Sequence, residues 1–325
     1  MKIFAVDDDE FILELLPMVS SKAGFPDVVT ATSGDAALKI LASSALEFDC
    51  LILDISMPGM DGIELCTRVR KMPRYRETPI LMLTAMTDKD YVDRAFKSGA
   101  TDYITKPFEI SEMGARLRIA EELASTRRIV SRIENPGARD NRADFGDHSV
   151  KITDAIQIEG AKNIIDYKAL GNYLTQISRI GTLNCQVFAV KIGSIEKVFA
   201  QSKPDEFEYA LCAVANAIWS AYSAIGYLIG YAGNGVFVII SYDPNLESSL
   251  ELETEVQFIL DDANLEYDDG HQLDIKISIG NPLRPNACKT QGVRKTFERA
   301  ISRAETRAIN KVSDNFVPTV VRRRI

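Results

Sequence analysis

The sequence predicts an α/β protein in two parts, a doubly wound parallel sheet followed by a separate α+β domain. Three observations predict it. Across residues 1–108 short apolar runs alternate with helix-spaced segments. Acidic, hydroxyl and lysine residues stand directly after those runs, where a parallel sheet gathers its functional groups. Beyond a polar stretch, Tyr227–Tyr231 and Val236–Ser241 are two apolar runs joined by Ala232-Gly233-Asn234-Gly235, the mark of an antiparallel hairpin.

Taken in order, Lys2–Val6 is the first strand. Phe11–Ser21 places Phe11, Leu15, Met18 and Val19 at helical spacing. Val28–Ala31 is strand-like. Ser33–Leu46 is a helix with Ser33 as cap, because a serine oxygen there can accept an N–H that the first turn leaves unpaired. Cys50–Leu53 is a strand, followed by the turn signals Pro58-Gly59 and Asp61-Gly62. Ile63–Arg70 is a helix, Ile80–Thr84 a strand, Asp88–Ser98 a helix, and Asp102–Ile104 a strand ended by Lys106-Pro107. Strands that are apolar throughout suit a sheet covered on both faces. Ser111–Glu134 is one long helix striped by Met113, Leu117, Ala120, Ala124 and Val130. It either closes the first domain or also serves as a stalk with dimer contacts.

Asn135–Asp147 is polar, with two glycines and a proline, and is the expected linker. After it come a helix at Asp166–Ile180, a strand at Cys185–Ile192, a helix at Asp205–Ile225, the hairpin, a helix at Leu250–Leu260, an alternating strand at Leu273–Ile279 and a helix at Val293–Ile309. The expected division is 1–123, a helical extension and linker at 124–159, and 160–325.

Composition narrows the chemistry. The chain has 325 residues, enough for two cores, and a net charge of -8, which gives no general pull toward nucleic acid or anionic membrane. A short basic run, Arg322–Arg324, does not alter that. No run reaches the length of a membrane span, and the first residues do not resemble a signal peptide, so a cytoplasmic protein is expected. Five cysteines without CxxC spacing are expected as small buried hydrophobes. Two isolated histidines, His148 and His271, make an imidazole metal site unsuitable. The acidic loop Asp261–His271 lacks EF-hand spacing.

The residues at the strand ends are Asp7, Asp8, Asp54, Thr84 and Lys106. Three carboxylates at one edge repel each other unless a cation joins them, and hard oxygen ligands favour Mg²⁺. With the metal in place one carboxylate can act as nucleophile toward a phosphoryl group. Lys106 would offset the product's charge, and the Thr84 hydroxyl could donate to a phosphoryl oxygen.

These residues resemble the receiver domain of two-component response regulators, a (βα)5 flavodoxin-like fold. The matching stretches are Val6–Asp9, Leu53–Gly62, Leu83–Ala85 and Gly99–Phe108, within residues 1–123. The resemblance implies that Asp7, Asp8 and Asp54, with the backbone carbonyl of Ser56, hold Mg²⁺. It implies that Asp54 is phosphorylated by a histidine kinase or phosphotransfer protein. Thr84 and Tyr103 become the switch pair, the hydroxyl moving to the phosphoryl group while the ring turns inward.

The order of elements over residues 160–316 is similar to the GGDEF domain, a nucleotidyl-cyclase-like fold that makes cyclic di-GMP. Phe188–Phe199, Tyr231–Ile240, Lys276–Gly280 and Ala300–Phe316 carry the likeness. Its chemistry is missing. The signature reads Ala232-Gly233-Asn234-Gly235-Val236. The metal-binding aspartate falls on Lys191, the metal-associated glutamate on Gly235, and the guanine-reading asparagine on Phe199. A second guanine-reading aspartate falls on Glu208, and the product-inhibition site on Ser223–Gly226. The expectation is a degenerate, non-enzymatic output domain that binds an unknown protein partner or dimerises. The alternatives are a nucleotide-binding sensor or a residual cyclase. A DNA-binding output is not expected, because no helix-turn-helix pattern is present.

Overall fold

A computed structural model describes residues 1–43, 46–85, 89–134, 151–156, 158, 160–161, 163–180, 185–222, 226–242, 249–285 and 290–314. The chain divides into two compact units, Met1–Arg142 and Ala143–Ile325.

In the first unit five strands, β1 (Ile3–Val6), β2 (Val28–Ala31), β3 (Cys50–Asp54), β4 (Ile80–Thr84) and β5 (Asp102–Thr105), lie in the order β2-β1-β3-β4-β5. Every pairing is parallel. The order reverses beside β1, so β1 and β3 flank the crevice where such sheets bind ligands. Among the described residues its helices are α1 (Glu10–Lys22), α2 (Gly34–Ala42), α3 (Gly62–Arg70), α4 (Lys89–Lys97) and α5 (Ile110–Glu134), with a short 3-10 turn at Pro73–Tyr75. β1, β3 and β4 are buried along their whole length, which is why they carry no polar alternation. Asp9, Ser33 and Asp61 cap α1, α2 and α3 through their side chains. The helix expected to reach Leu46 ends at Ala42, where Ser43 turns to extended backbone. Helix α5 is held to β5 in its N-terminal part by a buried ion pair, Arg116 to Asp102 at 2.6 Å.

The second unit contains α6 (Tyr167–Ile180), β6 (Gln186–Ile192), α7 (Ile195–Gln201), α8 (Pro204–Tyr222), β7 (Tyr227–Tyr231), β8 (Val236–Ser241), α9 (Ser249–Asp262), β9 (Ile277–Ile279) and α10 (Thr290–Asp314). The sheet runs β7-β8-β6-β9, and all its ladders are antiparallel. The hairpin stands as expected. The strand expected over Leu273–Ile279 is ladder only from Ile277. Leu273 instead gives its N–H to Leu265 at 2.7 Å, so the alternation before Ile277 serves the preceding loop. The short helix α7 was not expected. Its seven residues bury only Ile195 and Val198, too few for a periodic signal.

One carboxylate fastens the back of this unit. Glu253 on α9 is 3% exposed. It accepts from Arg307 at 2.6 Å, from Lys311 at 2.6 Å and from the Ile279 N–H at 2.8 Å. Three elements therefore meet on one side chain, and its burial is compensated on every side. Gly280 follows β9 where a Cβ would lie 2.7 Å from the Ala304 nitrogen, so only glycine lets α10 approach there.

The polar stretch Asn135–Asp147, His148, Cys288, Ser223–Ile225 and Arg322–Arg324 lie outside the described residues. No helix among the described residues is long and apolar enough to cross a membrane.

Candidate functional site

Parallel register brings the carboxyl ends of four strands to one edge of the first sheet. Asp7 follows β1 and is fully buried. Asp54 ends β3 at 3% exposure, Thr84 ends β4 at 1%, and Lys106 follows β5. Asp8 stands beside Asp7 and is exposed. Ligand oxygens of Asp7, Asp8 and Asp54 come within 4.8 Å of one another. The Lys106 Nζ lies 2.7 Å from Asp7 and 2.6 Å from Asp54. Three carboxylates against one ammonium leave two negative charges over, which matches one divalent cation.

Backbone groups fix the two buried carboxylates. The Asp9 N–H donates to Asp7 Oδ1 at 3.0 Å, and the Ser56 N–H donates to Asp54 Oδ2 at 2.7 Å. The Lys106 N–H donates to the Thr84 carbonyl at 2.7 Å, which seats the lysine beside β4. Gly62 is required behind Asp54, since a Cβ there would lie 2.0 Å from the Asp54 carbonyl oxygen. Burial pushes the Asp7 carboxyl above its ordinary value, although Lys106 and the Asp9 N–H pull the other way. Burial would lower the Lys106 ammonium, but its bonds to Asp54 and Asp7 outweigh that and raise it.

Thr84 and Tyr103 sit on neighbouring strands. Tyr103 is 3% exposed and meets Phe96 of α4 edge to face, with ring centroids 6.3 Å apart. The ring therefore already lies inward, against α4. Ser56, the remaining expected metal ligand, is exposed two residues beyond Asp54.

In the second unit the positions that the expected resemblance singles out lie on β6, the hairpin turn, α7 and α8. Lys191 on β6 donates from Nζ to the Asn234 carbonyl in the hairpin turn. The β6 ladder places it between Val236 and Ser278, its stem is covered, and burial lowers its pKa against the opposing pull of Glu196 and Glu305. Asn234 and Gly235 both adopt left-handed backbone, with φ of 51° and 68°. A Cβ at Gly235 would lie 2.7 Å from the Ile195 side chain. Phe199 packs edge to face on Phe207 at 4.9 Å, as part of the core's margin. Glu208 is half-buried on α8.

Two contributors carried no sequence signal. Glu253 read as one acidic residue among several on its helix. Residues Lys151–Ile156 fell within the expected extension and linker at 124–159. They lie across the hairpin turn: the Asn234 N–H donates to the Ile152 carbonyl at 2.6 Å, and a Cβ at Gly233 would stand 2.3 Å from the Thr153 carbonyl oxygen.

The sheet order together with this acidic edge defines the first unit as a receiver domain. Residues 3–118 match the response regulator receiver domain family. Among curated relatives, the transcriptional regulatory protein YvrH of Bacillus subtilis is 36% identical over 116 residues, which is 36% of this chain and 47% of that protein. The DNA-binding response regulator MtrA of Mycobacterium tuberculosis is 41% identical over 117 residues, 36% of this chain and 49% of that protein. The chain spans about half the length of these curated relatives. Among solved structures, the chemotaxis protein CheY4 of Vibrio cholerae is 35% identical. That match covers 37% of this chain and 97% of that one, at a TM-score of 0.34. Receiver domains generally bind Mg²⁺ at an acidic pocket, and the three aspartates here supply the hard oxygens such a site needs.

Proposed function

We propose that the chain is a phosphorylation-operated response regulator whose output is contact rather than synthesis. The observation that carries this is the Lys106 ammonium held between Asp7 and Asp54 at the ligand-binding edge of the sheet. Asp54 is the phosphoacceptor. One of its oxygens attacks the phosphorus of a phosphohistidine on a histidine kinase or phosphotransfer protein. The new O–P bond forms as the P–N bond breaks, and the electron pair leaves on the imidazole nitrogen. Asp7, Asp8 and Asp54, with the Ser56 carbonyl, would hold Mg²⁺, and the ion would supply Lewis-acid stabilisation of the phosphoryl charge. Lys106 turns from internal counter-ion of two carboxylates into partner of the phosphoryl oxygens. The Thr84 hydroxyl donates to the same group, and Tyr103 occupies the space beside α4 that the switch uses.

The second unit is a degenerate GGDEF-like domain without enzymatic activity, and the chain's only covalent chemistry is at Asp54. What supports this is the set of groups at the hairpin. Lys191 places a cation where a metal carboxylate is needed, Gly235 offers no side-chain oxygen, and Phe199 is committed to packing against Phe207. Its role is to hold a protein partner or a second copy of the chain. Nucleic acid is left out of this reading. DNA binding is in the name of MtrA, whose match covers 36% of this chain. A cytoplasmic setting follows from the same reading.

Acetyl phosphate labelling tests the first half. Wild type should be labelled in the presence of Mg²⁺, and neither Asp54→Ala nor chelated wild type should be. Undiminished labelling of Asp54→Ala would move the acceptor elsewhere. Incubation with GTP and Mg²⁺ or Mn²⁺ tests the second half, and any nucleotide product would overturn it. Capture of partners with and without beryllofluoride tests the output. Identical partners and identical oligomeric state in both conditions would refute phosphorylation-dependent contact.

A further inference from the structure

The tip of the β7–β8 hairpin is covered by the chain itself. Three successive residues there, Gly233, Asn234 and Gly235, have positive φ, so their amides are turned out of the ladder. Such a run of left-handed residues presents N–H groups that need acceptors. Two acceptors are internal. The Gly235 N–H donates to the Tyr231 hydroxyl at 3.0 Å, and the Asn234 N–H donates to the Ile152 carbonyl at 2.6 Å.

The segment that supplies the Ile152 carbonyl is a small unit of its own. Lys151 and Asp154 close it into a turn, through the Asp154 N–H to the Lys151 carbonyl at 2.9 Å and the Lys151 N–H to the Asp154 carboxylate at 2.9 Å. The Thr153 carbonyl lies against Gly233 so closely that no other residue type would let it stay. Ile152 and Ile156 are partly buried against the core of the unit.

We propose that Lys151–Ile156 is a releasable strap, a segment that covers the hairpin tip and opens locally to free the Asn234 amide. Its attachment is light beside the fully buried strands it covers. It rests on the bond to Asn234, two half-buried isoleucines and a turn that satisfies itself. Segments of that kind open locally without unfolding the sheet. The inference stands on the geometry of the second unit and does not require phosphorylation of Asp54.

Hydrogen exchange of the full chain, read amide by amide, tests it. In wild type the Asn234 amide should exchange faster than the ladder amides of Leu228 and Ile239, because strap opening is local, yet slower than an unprotected amide. Ile152→Asp should raise exchange at Asn234 and across residues 151–156 by tenfold or more (about 1.4 kcal/mol) and leave Leu228 and Ile239 unchanged. Gly233→Ala, which displaces the Thr153 carbonyl from the other side, should do the same, and Ile152→Val should behave as wild type. If Asn234 exchanges together with Leu228 and Ile239 in wild type and in both releasing variants, the segment is fixed core and the proposal fails. It also fails if neither variant changes Asn234.

Discussion

Replacing Lys106 by methionine should turn the stability of the first unit into a function of divalent cation. The side chain keeps its length and much of its stem, but the ammonium that lies 2.7 Å from Asp7 and 2.6 Å from Asp54 is gone. Asp7 and Asp54 then face each other with oxygens within 4.8 Å. At an effective dielectric of about 20, two unit charges at that separation repel by roughly 3.5 kcal/mol. Proton uptake limits the loss. Asp7 already sits above its ordinary 3.8 because of burial, and without Lys106 it rises further. A carboxyl whose folded pKa exceeds its unfolded one costs stability at neutral pH, and the cost shrinks as pH falls toward the folded value. The expected loss is therefore about 2–4 kcal/mol near neutral pH, smaller at about pH 5. Mg²⁺ in excess should restore most of it by binding only the folded form. Exchange of the β1 and β3 amides reads the effect. The one tryptophan, Trp219, belongs to the second unit, so its fluorescence in a denaturant titration is the internal control and should not move. Equal losses with and without Mg²⁺, or a loss that grows on acidification, would refute the electrostatic account.

Gly62→Ala should slow acetyl phosphate labelling several-fold and cost about 1–3 kcal/mol, because the added methyl displaces the Asp54 carbonyl; a labelling rate equal to wild type would refute it. Glu253→Gln should destabilise the second unit by about 2–4 kcal/mol near neutral pH, read by Trp219 fluorescence in urea. Burial raises the Glu253 pKa, but Arg307, Lys311 and the Ile279 N–H overcome it and hold the pKa below the ordinary 4.5. A depressed carboxylate stabilises above its unfolded pKa and loses that contribution as pH falls through the folded one, so wild type should weaken in acid and Glu253→Gln should weaken less. An identical acid dependence would place the titration elsewhere. Arg116→Met leaves Asp102 buried without its cation, and the first unit should lose about 3–5 kcal/mol, measured by exchange of the β5 amides; a loss below about 1 kcal/mol would mean that Asp102 finds another donor.

The first unit was legible because parallel strands confine chemistry to their ends. Asp7, Asp54 and Thr84 each stood directly after an apolar run and Lys106 two residues past one, and the register brings them together. What the sequence did not announce is the bridge. Lys106 was expected to meet a phosphoryl group, and nothing in its position said that it would hold two aspartates at once. Boundaries moved where capping outweighed pattern, as at Ser43. The second unit was less legible because its decisive contacts are made by backbone. The carbonyls of Ile152, Thr153 and Asn234 have no residue signature. Leu273 and Ile275 alternate like a strand but serve a loop, and α7 is too short to show a period. The covering of the Lys191 stem comes from strands distant in sequence, which local pattern does not register.

The Glu253 fastening has a further consequence for how the second unit tolerates change. Two cations on α10, one turn apart, serve the same carboxylate, and the β9 amide serves it too. A chain that loses Arg307 keeps Lys311, and a chain that loses Lys311 keeps Arg307. The acid has no understudy. Drift is therefore cheap at either end of the fork and dear at its root, so the unit can vary the outer face of α10 while that single position stays pinned.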